Sequence, residues 1–400
     1  MPEPPAPVDA IVAGGGVIGL GIAWRAATAG LRVAVCDDAP GRAASWAAAG
    51  MLAPVTEVHY GEEALLALNL EAARRYPRWV AELEALTGVG TGYRRCGTLM
   101  VARDADDLAV LDDLAAYQRR AGLEAERLGS RACRELEPRL SPRVRAGILV
   151  PGDHQVDNRA LVRALLRACE HTGVGLLPAR VARVLVEGGR VTGVALADGG
   201  RLAGGTVVLA AGCWSGAIAG PDPDVLPPVR PVKGQLLHLA GPADPPLIGH
   251  NLRGLDVYLV PRADGRLVAG ATVEERGFDT TVTAGAVHEL LRDAVELVPD
   301  VAELALTETV AGLRPGSPDN APLLGPAALD GLVVAAGHHR NGILLTPVTA
   351  DAVAELLVTG RVPDLIAPFG PARFEPAGRS GEAERMRGPR PGPDREGAAQ

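Results

Sequence analysis

Lysine is almost missing from this chain. Lys233 stands alone among 40 basic residues, and the other 39 are arginines. With arginine so common, each one must be argued from its context. Aromatic residues fill only 3% of the 400 positions, too few for base-stacking platforms. A formal net charge of −8 excludes a nucleic-acid coat and a polybasic membrane binder. Five cysteines (Cys36, Cys96, Cys133, Cys169 and Cys213) are scattered, odd in number and never spaced C-x-x-C. This excludes a disulfide framework, predicts no metal site, and fits a reducing compartment. Long apolar runs are also lacking: the best, Gly204 to Gly220, is broken by Gly212, Ser215 and Gly216. Met1 to Ala10 carries acids and prolines where a leader has basic residues, so the expected location is cytoplasmic. What remains is ordinary globular material, 47% hydrophobic and 22% charged, and long enough for two domains.

The most specific local pattern comes first in the chain. Ala10 to Ala13 is a short apolar run ending in Gly14-Gly15-Gly16-Val17-Ile18-Gly19. A helical stretch, Val17 to Ala29, stops at Gly30, and a second apolar run, Leu31 to Cys36, ends at Asp37. This is a βαβ unit with G-x-G-x-x-G at its first turn. Gly14 permits the tight turn, Gly16 lets the backbone approach a pyrophosphate, and Gly19 allows close helix–strand packing. The helix start then faces the phosphates, and Asp37 accepts from ribose hydroxyls. An acid at that strand end argues against a 2′-phosphorylated ribose.

Two more strands end in glycine far along the chain. Thr206 to Ala211 runs into Gly212, and Leu332 to Ala336 runs into Gly337. A sheet gathered from such distant segments suits FAD better than a nicotinamide dinucleotide, whose domain is usually contiguous. Between them lie amphipathic helices at Glu62 to Leu86, Ala105 to Ala121 and Asn158 to Gly173. A hairpin is expected at Val181 to Leu185 and Val191 to Leu196. Val229 to Thr272 is strand-rich, with strands at Gln235 to Leu239, Val257 to Val260 and Leu267 to Ala269. The expected fold class is α/β (α+β overall): a glutathione-reductase-type FAD-binding Rossmann domain built from discontinuous segments, plus an antiparallel-sheet substrate domain. Residues 1–85, 148–225 and 306–370 are assigned to the first and 86–147 and 226–305 to the second. Residues 371–400, rich in Gly, Pro, Arg and Glu, are expected to be a disordered tail.

Several motifs together resemble a known family. They are Gly14 to Gly19, Ala48-Ala49-Gly50-Met51-Leu52, Pro231-Val232-Lys233-Gly234, Tyr258-Leu259-Val260-Pro261-Arg262, Ala311-Gly312-Leu313-Arg314-Pro315, and Gly337-His338-His339-Arg340-Asn341-Gly342-Ile343-Leu344-Leu345. From about Asp9 to Phe369 the chain resembles the glycine oxidases of thiamine biosynthesis, within the D-amino-acid oxidase and sarcosine oxidase group. The last two motifs are the most specific. The resemblance implies non-covalent FAD, oxidation of glycine to iminoacetate, and reoxidation by O2 to peroxide. Sarcosine and D-amino acids are the alternative substrates, thiazole synthase is the functional partner, and a homo-oligomer, even a tetramer, is implied. The family's carboxylate-binding arginines fall on Arg314 and Arg340, its substrate tyrosine on Tyr258, and a methionine beside the substrate on Met51. Arg42 and Ser45 fall where the family touches the pyrophosphate, and Val181 where backbone meets adenine. Asp38, Ala49, Gly50, Ala211, Gly212, Trp214 and the run Gly337 to Leu344 complete the implied cofactor contacts. Three departures stand out: Asp256 where many relatives have histidine, Trp46 as an extra residue, and Ala311 where sarcosine oxidases carry the flavin-linking cysteine.

The chemistry supports the same residues. A substrate carboxylate is best held by a guanidinium, whose planar fork matches it bidentately. Arg340 and Arg314 both sit at bends near strand ends, and Tyr258 lies in an apolar strand. Hydride transfer needs no strong side-chain base if the amine arrives neutral, and no histidine presents itself as one. His338 and His339 either line the flavin or serve as hydrogen-bonded loop histidines. His59 and Tyr60 belong to a candidate lid, and Lys233 reads as structural. Rival readings are an amino-acid dehydrogenase with another acceptor, and a flavin-binding scaffold.

Overall fold

Four short runs, Ala10–Ala13, Val33–Cys36, Val207–Leu209 and Leu332–Ala336, are buried at every position. Strands apolar on both faces belong in the middle of a layered domain. In the computed structural model, which describes residues 7–220, 222 and 225–374, they lie side by side. Their sheet has six strands in the order Leu323–Pro326, Leu332–Ala336, Val207–Leu209, Ala10–Ala13, Val33–Cys36, Gly175–Leu177. All pairs are parallel except that of Leu323–Pro326 with Leu332–Ala336. Helices Val17–Thr28, Glu63–Thr87, Asn158–His171 and Thr346–Thr359 share one apolar cluster with this sheet. Within it, Trp24 and Trp79 meet edge to face at 5.3 Å. A three-stranded sheet, Val181–Glu187, Arg190–Leu196 and Arg201–Ala203, shares a second cluster with strand residues such as Ile11 and Val207.

The second sheet has eight strands, in the order Ala305–Gly316, Arg230–Ala240, Arg266–Gly270, Tyr258–Pro261, Asn251–Arg253, Thr98–Ala102, Ala146–Val150, Glu126–Gly129. Every pair is antiparallel except Asn251–Arg253 with Thr98–Ala102. Helix Ala284–Leu297 packs on it through Leu290, Ala294 and Leu297. The fold is thus mixed α/β, with a largely parallel sheet and a largely antiparallel one.

The strands and helices expected from the pattern form within a few residues of their expected bounds, and their ends have local causes. Asp157 caps the helix Asn158–His171 by accepting from the N–H groups of Arg159 (3.0 Å) and Ala160 (3.1 Å). Gly188 and Gly189 turn the hairpin with positive φ at both positions, 59° and 77°. Two strands cross the divisions drawn from the sequence: Ala146–Val150 spans the boundary at 148. Ala305–Gly316 lies in the antiparallel sheet and not with 306–370, because it pairs along its whole length with Arg230–Ala240. Within the tail expected from 371, Pro371–Phe374 forms a 3-10 turn and Arg373 pairs with Asp319 at 2.9 Å. Residues 375–400 lie outside the described residues. No helix among the described residues is long and apolar enough to cross a membrane.

Candidate cofactor and active site

The carboxyl ends of the parallel strands open onto a cavity of about 1200 Å³ that reaches the antiparallel sheet. That exceeds the roughly 300–1000 Å³ of pockets for drug-sized ligands. Its first wall is the glycine turn. Gly14 has φ +113°, and a Cβ there would lie 2.4 Å from the carbonyl oxygen of Ala210. A Cβ on Gly19 would lie 1.9 Å from the carbonyl oxygen of Gly14. The helix Val17–Thr28 has no acid in its first turn, which leaves its positive end to an anion. Ser45 Oγ accepts from the Val17 N–H at 3.1 Å and ties the neighbouring loop to this turn. Asp37 accepts from the N–H groups of Gly15 (2.7 Å) and Ala39 (2.8 Å), so its carboxylate is fixed at the strand end.

Most residues singled out from the sequence line this one cavity. They are Gly14, Gly16, Val17, Ile18, Asp37, Asp38, Arg42, Ser45, Ala49, Gly50, Met51, Val181, Ala211, Gly212, Trp214, Tyr258, Arg314 and His338 to Leu344. Gly19 and Gly337 stand behind the wall; a Cβ on Gly337 would press on Leu323 Cδ1 at 2.8 Å. Asp38 is half exposed and pairs with Arg180 at 2.9 Å. Arg42 stacks on Trp46 at 4.0 Å, and Arg159 covers the same ring at 4.3 Å. The turn at Gly50 is held by Arg262, whose Nη2 donates to the Ala49 carbonyl at 2.7 Å. The crowded glycine turn, the acid-free helix start and the long cavity fit a dinucleotide.

Against the antiparallel sheet the cavity changes character. Arg314 projects from Ala305–Gly316, and its Nη1 donates to the carbonyls of Lys233 (3.3 Å) and Thr272 (3.1 Å). Its guanidinium lies beside Tyr258, whose hydroxyl burial pushes up to about 12. Both side chains rest on strand glycines. A Cβ on Gly234 would meet Arg314 Nη1 at 2.4 Å, and one on Gly270 would meet the Tyr258 hydroxyl at 2.6 Å. Met51 lines the same region.

Arg340 faces the cavity, but its Nη2 donates to Glu62 Oε2 at 2.8 Å and to the Glu57 carbonyl at 3.3 Å. Its Nε is 3.8 Å from Glu57 Oε2. Glu57 also pairs with Arg253. Burial works to raise the Glu57 value, but Arg253, Arg340 and Arg314 together hold it below the ordinary carboxylate range. The two arginines expected to act alike therefore differ: Arg314 donates to backbone carbonyls beside a phenol and feels Glu57 only at longer range, whereas Arg340 is ion-paired with two carboxylates.

The histidines are poor bases here. Burial pushes His338 down to about 3, and its Nε2 shares a hydrogen bond with Thr349 Oγ1 at 3.1 Å. Burial and then Arg340 push His339 down to about 4. Of the candidate lid, His59 lines the cavity, but Tyr60 packs on Tyr117 at 4.7 Å and donates to the Asp113 carbonyl at 3.2 Å. Lys233 is fully buried and pairs with Asp279 at 2.8 Å, away from the cavity lining. Asp256 sits at the rim, ion-paired with Arg103 at 3.4 Å.

The sequence reading missed Glu57, Glu62, Arg253, Gly234 and Gly270. For the two glycines a signal existed, because an isolated glycine inside a strand marks a close approach. Glu57, Glu62 and Arg253 carried none.

A family model described as FAD dependent oxidoreductase (DAO) matches residues 9–356. The chain belongs to this family. It is 38% identical over 373 residues to the bifunctional protein ThiO/ThiG of Synechocystis sp., covering 92% of this chain and 54% of that protein. The chain thus spans about half the length of this relative. It is 36% identical over 385 residues to the glycine oxidase of Pseudomonas putida, covering 93% of this chain and 99% of that one. The crystal structure of glycine oxidase from Geobacillus kaustophilus superposes with a TM-score of 0.86 at 32% identity, covering 92% of this chain and 100% of that one. The protein is an FAD-dependent oxidoreductase, and its cofactor is FAD.

Proposed function

We propose that this protein is an amino-acid oxidase whose preferred substrate is glycine. The observation that carries this reading is the Arg314–Tyr258 pair, seated on Gly234 and Gly270 inside the cavity that holds the dinucleotide cradle. A guanidinium that is ion-paired with no carboxylate among the described residues, next to a phenol, is a site for a substrate carboxylate. Arg314 takes the carboxylate, Tyr258 donates its hydroxyl to it, and Met51 packs against the small Cα. FAD, when bound, would supply the hydride acceptor, with O2 as the final oxidant and peroxide as its product. The side chains contribute position and not proton transfer: His338 and His339 are both held neutral by burial, and the amine must arrive unprotonated. The product is iminoacetate, which water converts to glyoxylate and ammonia.

The similarity to the glycine oxidases of Pseudomonas putida and Geobacillus kaustophilus supports glycine. One of them joins a ThiO unit to a ThiG unit in one chain, which supports a role in supplying the imine for the thiazole of thiamine. Sarcosine and D-alanine differ from glycine by one carbon, worth only about 1–3 kcal/mol of discrimination. The test is product analysis with glycine, sarcosine and D-alanine in air. Glyoxylate and peroxide in equal amounts from glycine, with the highest kcat/KM of the three, support the reading. Peroxide from none of them removes it.

A further inference from the structure

We propose that Glu62 is a specificity-determining residue that confines the site to substrates with one carboxylate. This rests on the amino-acid oxidase reading above. Five arginines line the cavity; Arg42 and Arg180 stand with the loop after Asp37, and Arg253, Arg314 and Arg340 form a group with Glu57. Arg253 is spent on Glu57. Arg314 is available to a substrate. Arg340 is the undecided one. A guanidinium grips a carboxylate bidentately through two adjacent N–H groups, and Nε with Nη2 is such an edge. Here Nη2 donates to Glu62 Oε2 at 2.8 Å and to the Glu57 carbonyl at 3.3 Å, whereas the buried Nε makes no hydrogen bond among the described residues and lies 3.8 Å from Glu57 Oε2. Glu62 thus supplies the one carboxylate hydrogen bond on this edge, and Glu57 stands at longer range.

That side chain is firmly presented. Glu62 precedes the helix Glu63–Thr87, and its carbonyl accepts from Leu66 N at 2.8 Å. Its other carboxylate oxygen accepts from Asn320 Nδ2 at 3.4 Å. The charge count agrees. Arg253, Arg314 and Arg340 against Glu57 and Glu62 leave one net positive charge, which matches one carboxylate. Neutralising Glu62 leaves two, frees Arg340 Nη2 of its carboxylate partner, and favours the second carboxylate of a dicarboxylic amine.

The experiment titrates the holoenzyme with acetate and with malonate at constant ionic strength, following the flavin absorbance band. Neither anion has an amine to oxidise, so binding is read without turnover. Wild type, Glu62→Gln and Glu62→Ala are compared, with FAD content as the check on folding. The ratio of malonate to acetate affinity rises by about tenfold or more in both variants, the scale of one charge-assisted hydrogen bond in a desolvated site. In turnover, kcat/KM for iminodiacetate rises relative to glycine, through KM more than kcat. An unchanged affinity ratio in variants whose flavin is still reduced by glycine overturns the role of Glu62 and leaves the oxidase reading standing. No response to either anion in any form overturns it as well, and if glycine also fails to reduce the flavin, the oxidase reading falls too.

Discussion

The guanidinium of Arg314 lies flat against the backbone of Gly234, so close that a Cβ would come within 2.6 Å of its Cζ. A methyl group at 234 must therefore push the arginine away. Misplacing a substrate-holding group by about 1 Å costs on the order of 100-fold in rate. Gly234→Ala is expected to lower kcat/KM for glycine by about that factor while FAD content is retained. Steady-state kinetics with flavin quantitation checks this. A variant with normal kinetics would remove Arg314 from the substrate site.

Arg314→Ala is expected to cost more than Arg340→Ala. Removing the partner of a desolvated carboxylate costs roughly 2–5 kcal/mol, about 30- to 3,000-fold in kcat/KM. Arg340 already shares its charge with Glu62 and Glu57, so its loss is the milder one. Arg314→Lys rescues little, because an ammonium lacks the planar fork. Comparing kcat/KM for the three variants decides the order, and equal losses at 314 and 340 would contradict it.

The difference between those two arginines marks the limit of what the sequence shows. The glycine turn, Asp37 and the strand ends at Gly212 and Gly337 could be read because local chain geometry forces those residue types. Arg314, Arg340 and Tyr258 could be read as a set because their motifs were distinctive. Which carboxylate each arginine faces could not be read. Glu57 and Arg253 are 196 positions apart, and Glu62 and Arg340 are 278 apart, so only the folded chain brings them together. The sheet to which Ala305–Gly316 belongs could not be read for the same reason: its partner, Arg230–Ala240, lies outside any local window.

Gly14→Ala is expected to lose the cofactor. The residue has φ +113°, and its Cβ would strike the Ala210 carbonyl on the neighbouring strand. The purified variant should show little absorbance near 450 nm (a general flavin property) relative to 280 nm and should not regain it with added FAD. Full flavin occupancy would argue against this turn as the pyrophosphate cradle.

The pH dependence follows from burial. His338 titrates near 3 and His339 near 4, His59 is also held below its ordinary value by burial, and Tyr258 lies near 12. None of these changes charge between pH 7 and 10. kcat/KM is therefore expected to rise with pH as the substrate amine loses its proton, with no alkaline fall before pH 10. An inflection that stays in place when a substrate of different amine basicity is used would contradict this.

The same burial acts on stability. The folded-state value of His338 lies below the ordinary imidazole value of 6.5, so the unfolded chain binds more protons between about pH 3 and 6.5. Stability is complete above that window and falls as pH drops through it. Thermal melts from pH 4 to 8 should show the loss, and His338→Gln should flatten it. A variant melting with the same acid-side slope would assign that slope to other groups.

On the proposed function, glycine delivers its electrons to the flavin of this chain through the Arg314–Tyr258 site. Anaerobic mixing of the holoenzyme with glycine, followed at the flavin band near 450 nm and then opened to air with a peroxide assay, tests it directly. Rapid bleaching by glycine, with colour and peroxide returning in air, is the predicted result. A flavin that keeps its colour with glycine, sarcosine and D-alanine alike would contradict the account.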